Sequence, residues 1–182
     1  MNIKTEKDSV LIGSGFLYAI EADKFTPGME TSAMTEMGYI KDNATFKRSH
    51  ESKEITSANY GMVEIVNGTY TTEFATNIIS YKAENVAKFL TGSKVAVDAE
   101  KKTKTTYFAE ADKIPAIALV FVGEDESFKL IMPKCKWQGE YELDFNTDDP
   151  VELSYDFRCL NVTLPNGKVG AAYMEETIAD AE

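Results

Sequence analysis

Residues that carry chemistry are scarce in this chain. Its 182 residues include one histidine, His50, one tryptophan, Trp137, and two cysteines, Cys135 and Cys159. One imidazole and two thiols cannot complete a four-ligand zinc site without carboxylate help. His50 lies in the polar run Lys47-Arg48-Ser49-His50-Glu51, where a solvated ring is expected rather than a base. General acid–base work would rest on carboxylates alone. No G-x-x-x-x-G-K-S/T loop, G-x-S-x-G elbow or H-E-x-x-H pair occurs, and Gly13-Ser14-Gly15 lacks the third glycine of a dinucleotide fingerprint. Asp144 to Asp148 begins like a calcium loop. However, Asp149 stands where glycine is needed and Tyr155 where the bidentate glutamate belongs, so the stretch reads as a turn. Neither an enzyme nor a cofactor is expected.

Positive charge is also short. Against 30 acidic residues stand 19 basic ones, a formal charge of −11. Gripping nucleic acid needs the opposite balance, because affinity comes from releasing phosphate counterions. Lys94, Lys101, Lys102 and Lys104 form one basic cluster, explained most simply as a solvated hairpin tip. No run approaches the roughly 20 apolar residues of a membrane span. Met1 to Ser9 is polar and has no apolar core, so no secretory signal is expected. In a reducing compartment the two cysteines are expected as buried free thiols, although their strand positions leave a disulfide geometrically open.

What the chain does have is β alternation. From Lys134 to Phe145 the apolar residues Cys135, Trp137, Tyr141, Leu143 and Phe145 share one row. Lys134, Lys136, Gln138, Glu140, Glu142 and Asp144 share the other. After Asp148-Asp149-Pro150 the pattern resumes, with Val151, Leu153, Tyr155, Phe157 and Cys159 inward and Glu152, Ser154, Asp156 and Arg158 outward. Period-two runs around a polar turn predict an antiparallel hairpin. Ile117 to Val122 is apolar throughout, as for a strand covered on both faces.

A continuous strand from Phe128 to Phe145 would span roughly 55–60 Å. It must bend, or continue a sheet into a neighbouring subunit. Phe128, Leu130 and Met132 are even-numbered, the later apolar row is odd, and Pro133 stands at the change of phase. Proline lacks the ladder N–H, so a bulge is predicted there.

Along the rest of the chain, residues 1–9 read as a flexible arm, 10–164 as one β domain and 165–182 as an acidic arm. Val10 to Glu21 reads as a strand, followed by a polar connection with the turn pair Pro27-Gly28. Tyr39 to Lys47 reads as a second strand. His50 to Gly61 reads as a long loop or the tip of a flexible hairpin. Asn67-Gly68 is the strongest short hairpin signal, between Met62–Val66 and Thr69–Ile79. One helix is predicted, with Ala83, Val86, Ala87 and Leu90 on one face, Ser80 as cap and Gly92 as stop. Val95–Asp98 and Thr103–Phe108 form another hairpin, and Pro165-Asn166-Gly167 is a turn.

Taken together, several segments resemble the major tail tube protein of long-tailed, siphovirus-type bacteriophages. They are Leu11 to Tyr18, Glu36-Met37-Gly38-Tyr39-Ile40 leading to Ala44-Thr45-Phe46, the helix Ala83 to Leu90, and the two runs Lys134–Trp137 and Val151–Phe157. The resemblance covers about residues 10 to 164 and rests on the order of elements. It implies a mainly β fold with one helix, a β-sandwich or barrel of the tail-tube type with long hairpins and flexible terminal arms. It also implies a structural role in the virion: hexameric rings, assembled in the host cytoplasm, stack into a tube whose lumen passes DNA without binding it specifically. The partners implied are further copies and the tape measure, tail tip and tail terminator proteins, with no membrane. Contractile-tail and type VI secretion tubes are similar folds.

On that reading Ile117, Leu119, Phe121, Leu130 and Met132 are candidates for an inter-subunit strand. His50, Glu51, Lys53, Asn59 and Tyr60 are candidates for an inter-ring loop. Glu140, Glu142, Asp144, Glu152 and Asp156 are candidates for an acidic channel face. The alternative is a monomeric β-sandwich binding a carbohydrate or cell-surface ligand. Such a module would expose Trp137 and tyrosines, whereas the inward row favours burial of Trp137.

Overall fold

The computed structural model describes residues 15–79, 82–91, 95–107, 113–124, 126–138 and 153–176. In chain order the strands are β1 (Gly15–Glu21), β2 (Thr35–Ser57), β3 (Gly61–Ile78), β4 (Val95–Asp98), β5 (Thr103–Thr106) and β6 (Ile117–Gly123). They continue with β7 (Phe128–Trp137), β8 (Leu153–Cys159), β9 (Val162–Thr163), β10 (Val169–Gly170) and β11 (Tyr173–Glu176). One helical segment, α1 (Ala83–Asn85), runs on into a wider π-wound turn at Val86–Thr91. The fold is mainly β with one short helix, as the alternation predicts.

The main sheet closes. Its order β7-β6-β1-β2-β3-β8 returns to its start because β7 also pairs with β8, giving six antiparallel strands in a barrel. β11 adds to the outside edge of β7, Tyr173 opposite Ile131 and Glu176 opposite Phe128. Closure depends on Pro133. Before it, β7 lies between β6 and β11; beyond it, β7 reaches β8 through Cys135, Lys136 and Trp137. The β6–β7 register passes from Leu119↔Met132 to Ile117↔Cys135, so β7 spends one extra residue there. That bulge bends the strand. It also moves the inward row from even to odd numbers, so Met132 and Cys135 both face the core.

The inward row of each strand fills the barrel. Leu17, Phe74, Leu119, Phe121, Leu130, Met132, Leu153, Tyr155 and Phe157 belong to one buried cluster. Phe74 lies opposite Phe157, and the rings of Phe74 and Phe121 are 6.1 Å apart. Val86 and Phe89 from the helical segment join the same cluster. Asn85 Nδ2 donates to the Glu36 carbonyl (3.1 Å) and Lys88 lies 3.8 Å from Glu21, so the helical segment sits where β1 ends and β2 begins. Outside the barrel, Val120, Val122 and Ile131 are covered by Tyr18, Phe25, Met34 and Tyr173. The polar connection after β1 thus shields the second face of β6, which is why every residue of that strand is apolar and buried.

Several expectations are corrected. Asn67-Gly68 is not a turn: both residues lie inside β3, and the chain reverses between Ser57 and Gly61. The register goes from His50↔Tyr70 to Ser52↔Asn67, so Gly68 belongs to a bulge. A Cβ on Gly68 would stand 2.5 Å from the Glu51 carbonyl oxygen, a close approach that only glycine permits. Of the two readings of His50 to Gly61, the long loop is overturned and the hairpin tip holds, since the stretch is mostly β2–β3 ladder. The helix buries Phe89 as well as Val86 and Ala87, because its winding widens after Asn85. Beyond Pro165 the chain returns to the barrel: Leu164 to Lys168 forms the expected turn, with Gly167 at φ +77, and β11 is a sheet strand. Residues 1–14, Ser80, Gly92, Phe108, 139–152 and 177–182 lie outside the described residues.

Candidate functional site

β2 and β3 outrun the barrel. Pairing with β1 ends at Phe16↔Tyr39, and pairing with β8 ends at Thr72↔Cys159. Past these points, among the described residues, β2 and β3 pair only with each other, from Ser49↔Thr71 to Ser57↔Gly61. The nine residues of β2 from Ser49 to Ser57 carry this ribbon roughly 30 Å beyond the sheet. Among the described residues, neither ribbon edge has a strand beside it. The ribbon leaves the barrel at the end away from the helical segment, which is tied to Glu21 and Glu36.

The ribbon does not look like a finished surface. In β2, Phe46, His50, Glu54 and Thr56 are on one face, and opposite the last three stand Tyr70, Ile65 and Met62. Met62 is 57% exposed, Ile65 53% and Tyr70 48%, while Phe46 is exposed nearer the barrel. Tyr60, at the tip, is 86% exposed. The other face carries exposed Ile55 and Val66. Local contacts are few. The rings of His50 and Tyr70 stack at 5.2 Å, and the Arg48 guanidinium lies 4.8 Å over Tyr70. Isolated two-stranded hairpins are marginal in water, and exposed apolar side chains beside open ladder groups form a pairing template.

The expected inter-ring residues His50, Glu51, Lys53, Asn59 and Tyr60 are all exposed and all on this ribbon. Those named for an inter-subunit strand lie elsewhere. Ile117, Leu119, Phe121, Leu130 and Met132 are at most 6% exposed and point into the barrel. β6, which carries the first three, and β7, which carries the other two, are each paired on both edges within the chain, so these five side chains form its own core. Of the acidic set, Glu140, Glu142, Asp144 and Glu152 lie outside the described residues. Asp156 is exposed on the outer barrel wall. Its neighbourhood carries both signs: Arg158 lies 3.5 Å from Glu73 and donates to Thr71 Oγ1 (3.0 Å), while Lys136 is the register partner of Arg158.

Sequence reasoning missed Phe46, Met62, Ile65 and Tyr70 as one exposed face. The available signal was the polar, aperiodic stretch from residue 45 to 57. A strand without a buried side implies that its partner's apolar residues are uncovered too.

A cleft of about 690 Å³ is lined by Phe25, Pro27, Pro115, Pro133, Pro165 and Tyr173, together with Glu21, Asp23, Lys113 and Lys134. Burial, with Glu175 nearby, raises the Tyr173 pKa. The hydrogen bond and charge of Lys24, with Lys88 adding to them, lower that of Glu21. No group of three or more His, Cys, Asp or Glu among the described residues could hold a metal ion. No helix among them is long and apolar enough to cross a membrane.

No protein-family model matches the chain, and no curated protein matches it in sequence. Some solved structures match it at very low identity. A chain of the anti-feeding prophage baseplate, at 4% identity, is covered over 95% of its length by 92% of this chain, with a TM-score of 0.49. A chain of the PVC sheath-tube complex, an extracellular contractile injection system in its extended state, matches at 6% identity over 94% of this chain and 95% of that one, TM-score 0.47. A chain of the anti-feeding prophage cap matches at 7% identity over 97% of this chain and all of that one, TM-score 0.47.

Proposed function

We propose that this chain is a structural subunit of a tail-type tube, and that the projecting β2–β3 ribbon joins one copy to the next. The observation that carries the reading is the ribbon itself, which exposes Met62, Ile65 and Tyr70 on one face and, among the described residues, leaves both edges open. A second copy of the chain seated on the ribbon would cover those side chains. The ribbon and the helical segment mark opposite ends of the barrel, which suits a head-to-tail contact. Such a contact closes into a ring or propagates as a stack. The sequence resemblance to tail tube proteins supports the finer form, in which hexameric rings stack around a DNA channel within a virion tail. The −11 charge supports passage of DNA without gripping it. An acidic lumen wall, with Glu140, Glu142, Asp144, Glu152 and Asp156, belongs to the same proposal, as do tape measure, tip and terminator partners.

A monomeric carbohydrate-binding module would present aromatic rings on the barrel wall. Trp137 is instead partly buried against the core opposite Phe157, and Tyr60 and Tyr70 are on the ribbon. Light scattering over a wide concentration range tests the assembly reading. Growth of the scattering mass with concentration is expected, and a constant one-chain mass would overturn it.

A further inference from the structure

The two thiols that no part of the assembly reading uses are placed for chemistry with each other. Cys135 and Cys159 are direct register partners on β7 and β8, and their sulfurs are 3.3 Å apart. We propose that they form an oxidisable dithiol site, a covalent latch across the seam that closes the barrel. The latch is independent of self-assembly and stands or falls separately from it.

Geometry favours the bond. Directly opposed residues of an antiparallel pair have Cα atoms about 4.5–5.5 Å apart, inside the roughly 4.4–6.8 Å range that a disulfide accepts. The sulfurs must approach to about 2.05 Å, a little over 1 Å closer than they stand. Small side-chain rotations supply that without moving either strand. The seam they cross is short: among the described residues, β7 and β8 share three register pairs, whereas β3–β8 and β1–β6 share seven each. Backbone bonds from Gln138 N to Asp156 O (2.8 Å) and from Leu160 N to Lys134 O (2.7 Å) flank it. A bond there joins the two strands at which the sheet returns on itself.

The site is held reduced and quiet in the closed barrel. Cys135 is fully buried and Cys159 nearly so. The Sγ–Sγ hydrogen bond and burial both push the Cys135 thiol well above its ordinary pKa, so little thiolate is present. Reaction therefore needs the β7–β8 seam to open briefly. With a small disulfide such as oxidised glutathione as the oxidant, the thiolate of one cysteine attacks a glutathione sulfur. The glutathione S–S bond breaks, one glutathione thiol leaves, and a mixed disulfide forms on the protein. The second cysteine's thiolate then attacks the protein-side sulfur and expels the second glutathione thiol. Two protein thiols are oxidised to one disulfide, and one glutathione disulfide is reduced to two thiols.

The test treats the full chain with oxidised glutathione, with and without urea below the global unfolding transition, and reads intact mass and the cross-linked peptide. The expected product is one chain lighter by two hydrogens, with Cys135 linked to Cys159, formed faster in the mild urea. Its Tm should rise by roughly 5–10 °C and fall back on reduction. Cys159→Ala should lose the two-hydrogen product. Persistent glutathione or oxygen adducts in place of the cross-link, or cross-linking only after global unfolding, would overturn the proposal.

Discussion

Replacing Met62 and Ile65 by serine separates what the ribbon does for one chain from what it does between chains. Both side chains are more than half exposed in the single subunit, at 57% and 53%. The register places them on one face, opposite Thr56 and Glu54. Because neither packs on the barrel, Met62→Ser with Ile65→Ser should change monomer stability by no more than about 0.5 kcal/mol per site. In an assembly that covers them the cost is larger. Full burial of such a side chain is worth roughly 1.5–3 kcal/mol. With about half of each surface still to be covered, the pair contributes about 2–3 kcal/mol per contact by the same scale. At 1.4 kcal/mol per factor of ten, the concentration needed for assembly rises roughly 30- to 150-fold. Urea unfolding of dilute monomer and light scattering against concentration supply the two readings. An unchanged assembly threshold, with monomer stability intact, would refute the role given to this face.

Other variants probe the barrel. Phe157→Ala removes a fully buried ring opposite both Phe74 and Trp137, and should lower unfolding stability by about 3–5 kcal/mol in urea titrations. Deleting Lys134 would remove the extra residue of the β7 bulge and turn Lys136 into the inward position of Cys135. Circular dichroism should then show loss of the fold, whereas Lys134→Ala, at an exposed site, should be nearly neutral. Lys24 and Lys88 depress the Glu21 pKa, so its stabilising contribution is present above the ordinary glutamate value of about 4.3 and lost as pH falls through the lower folded value. Denaturation midpoints of Glu21→Gln and the native chain should therefore differ slightly at neutral pH and converge in acid.

The barrel was legible wherever one face is dry. The alternation of β8, the all-apolar β6 and the phase change at Pro133 each follow from a buried row that tolerates no slip. The ribbon was not legible for the converse reason. Residues 45–56 of β2 are exposed or only half-buried, so nothing imposes a period of two, and the segment resembles a loop. Asn67-Gly68 misled because the flexibility that favours a turn also suits a bulge, and only the pairing across the ribbon decides between them. β11 escaped notice because it is an edge strand with three of its four residues exposed. Of the candidate site, its polar tip was visible as a long stretch demanding a purpose. Its apolar face was hidden, because Met62–Val66 was assigned to a hairpin of ordinary length.

Negative-stain microscopy of the purified chain, concentrated as far as it remains in solution, tests the tube assignment most directly. The account predicts closed rings or stacked tubes roughly 120 Å wide, the size of six roughly 40 Å domains around a channel. Fields of single-chain particles at every concentration, without rings or stacks, would contradict it.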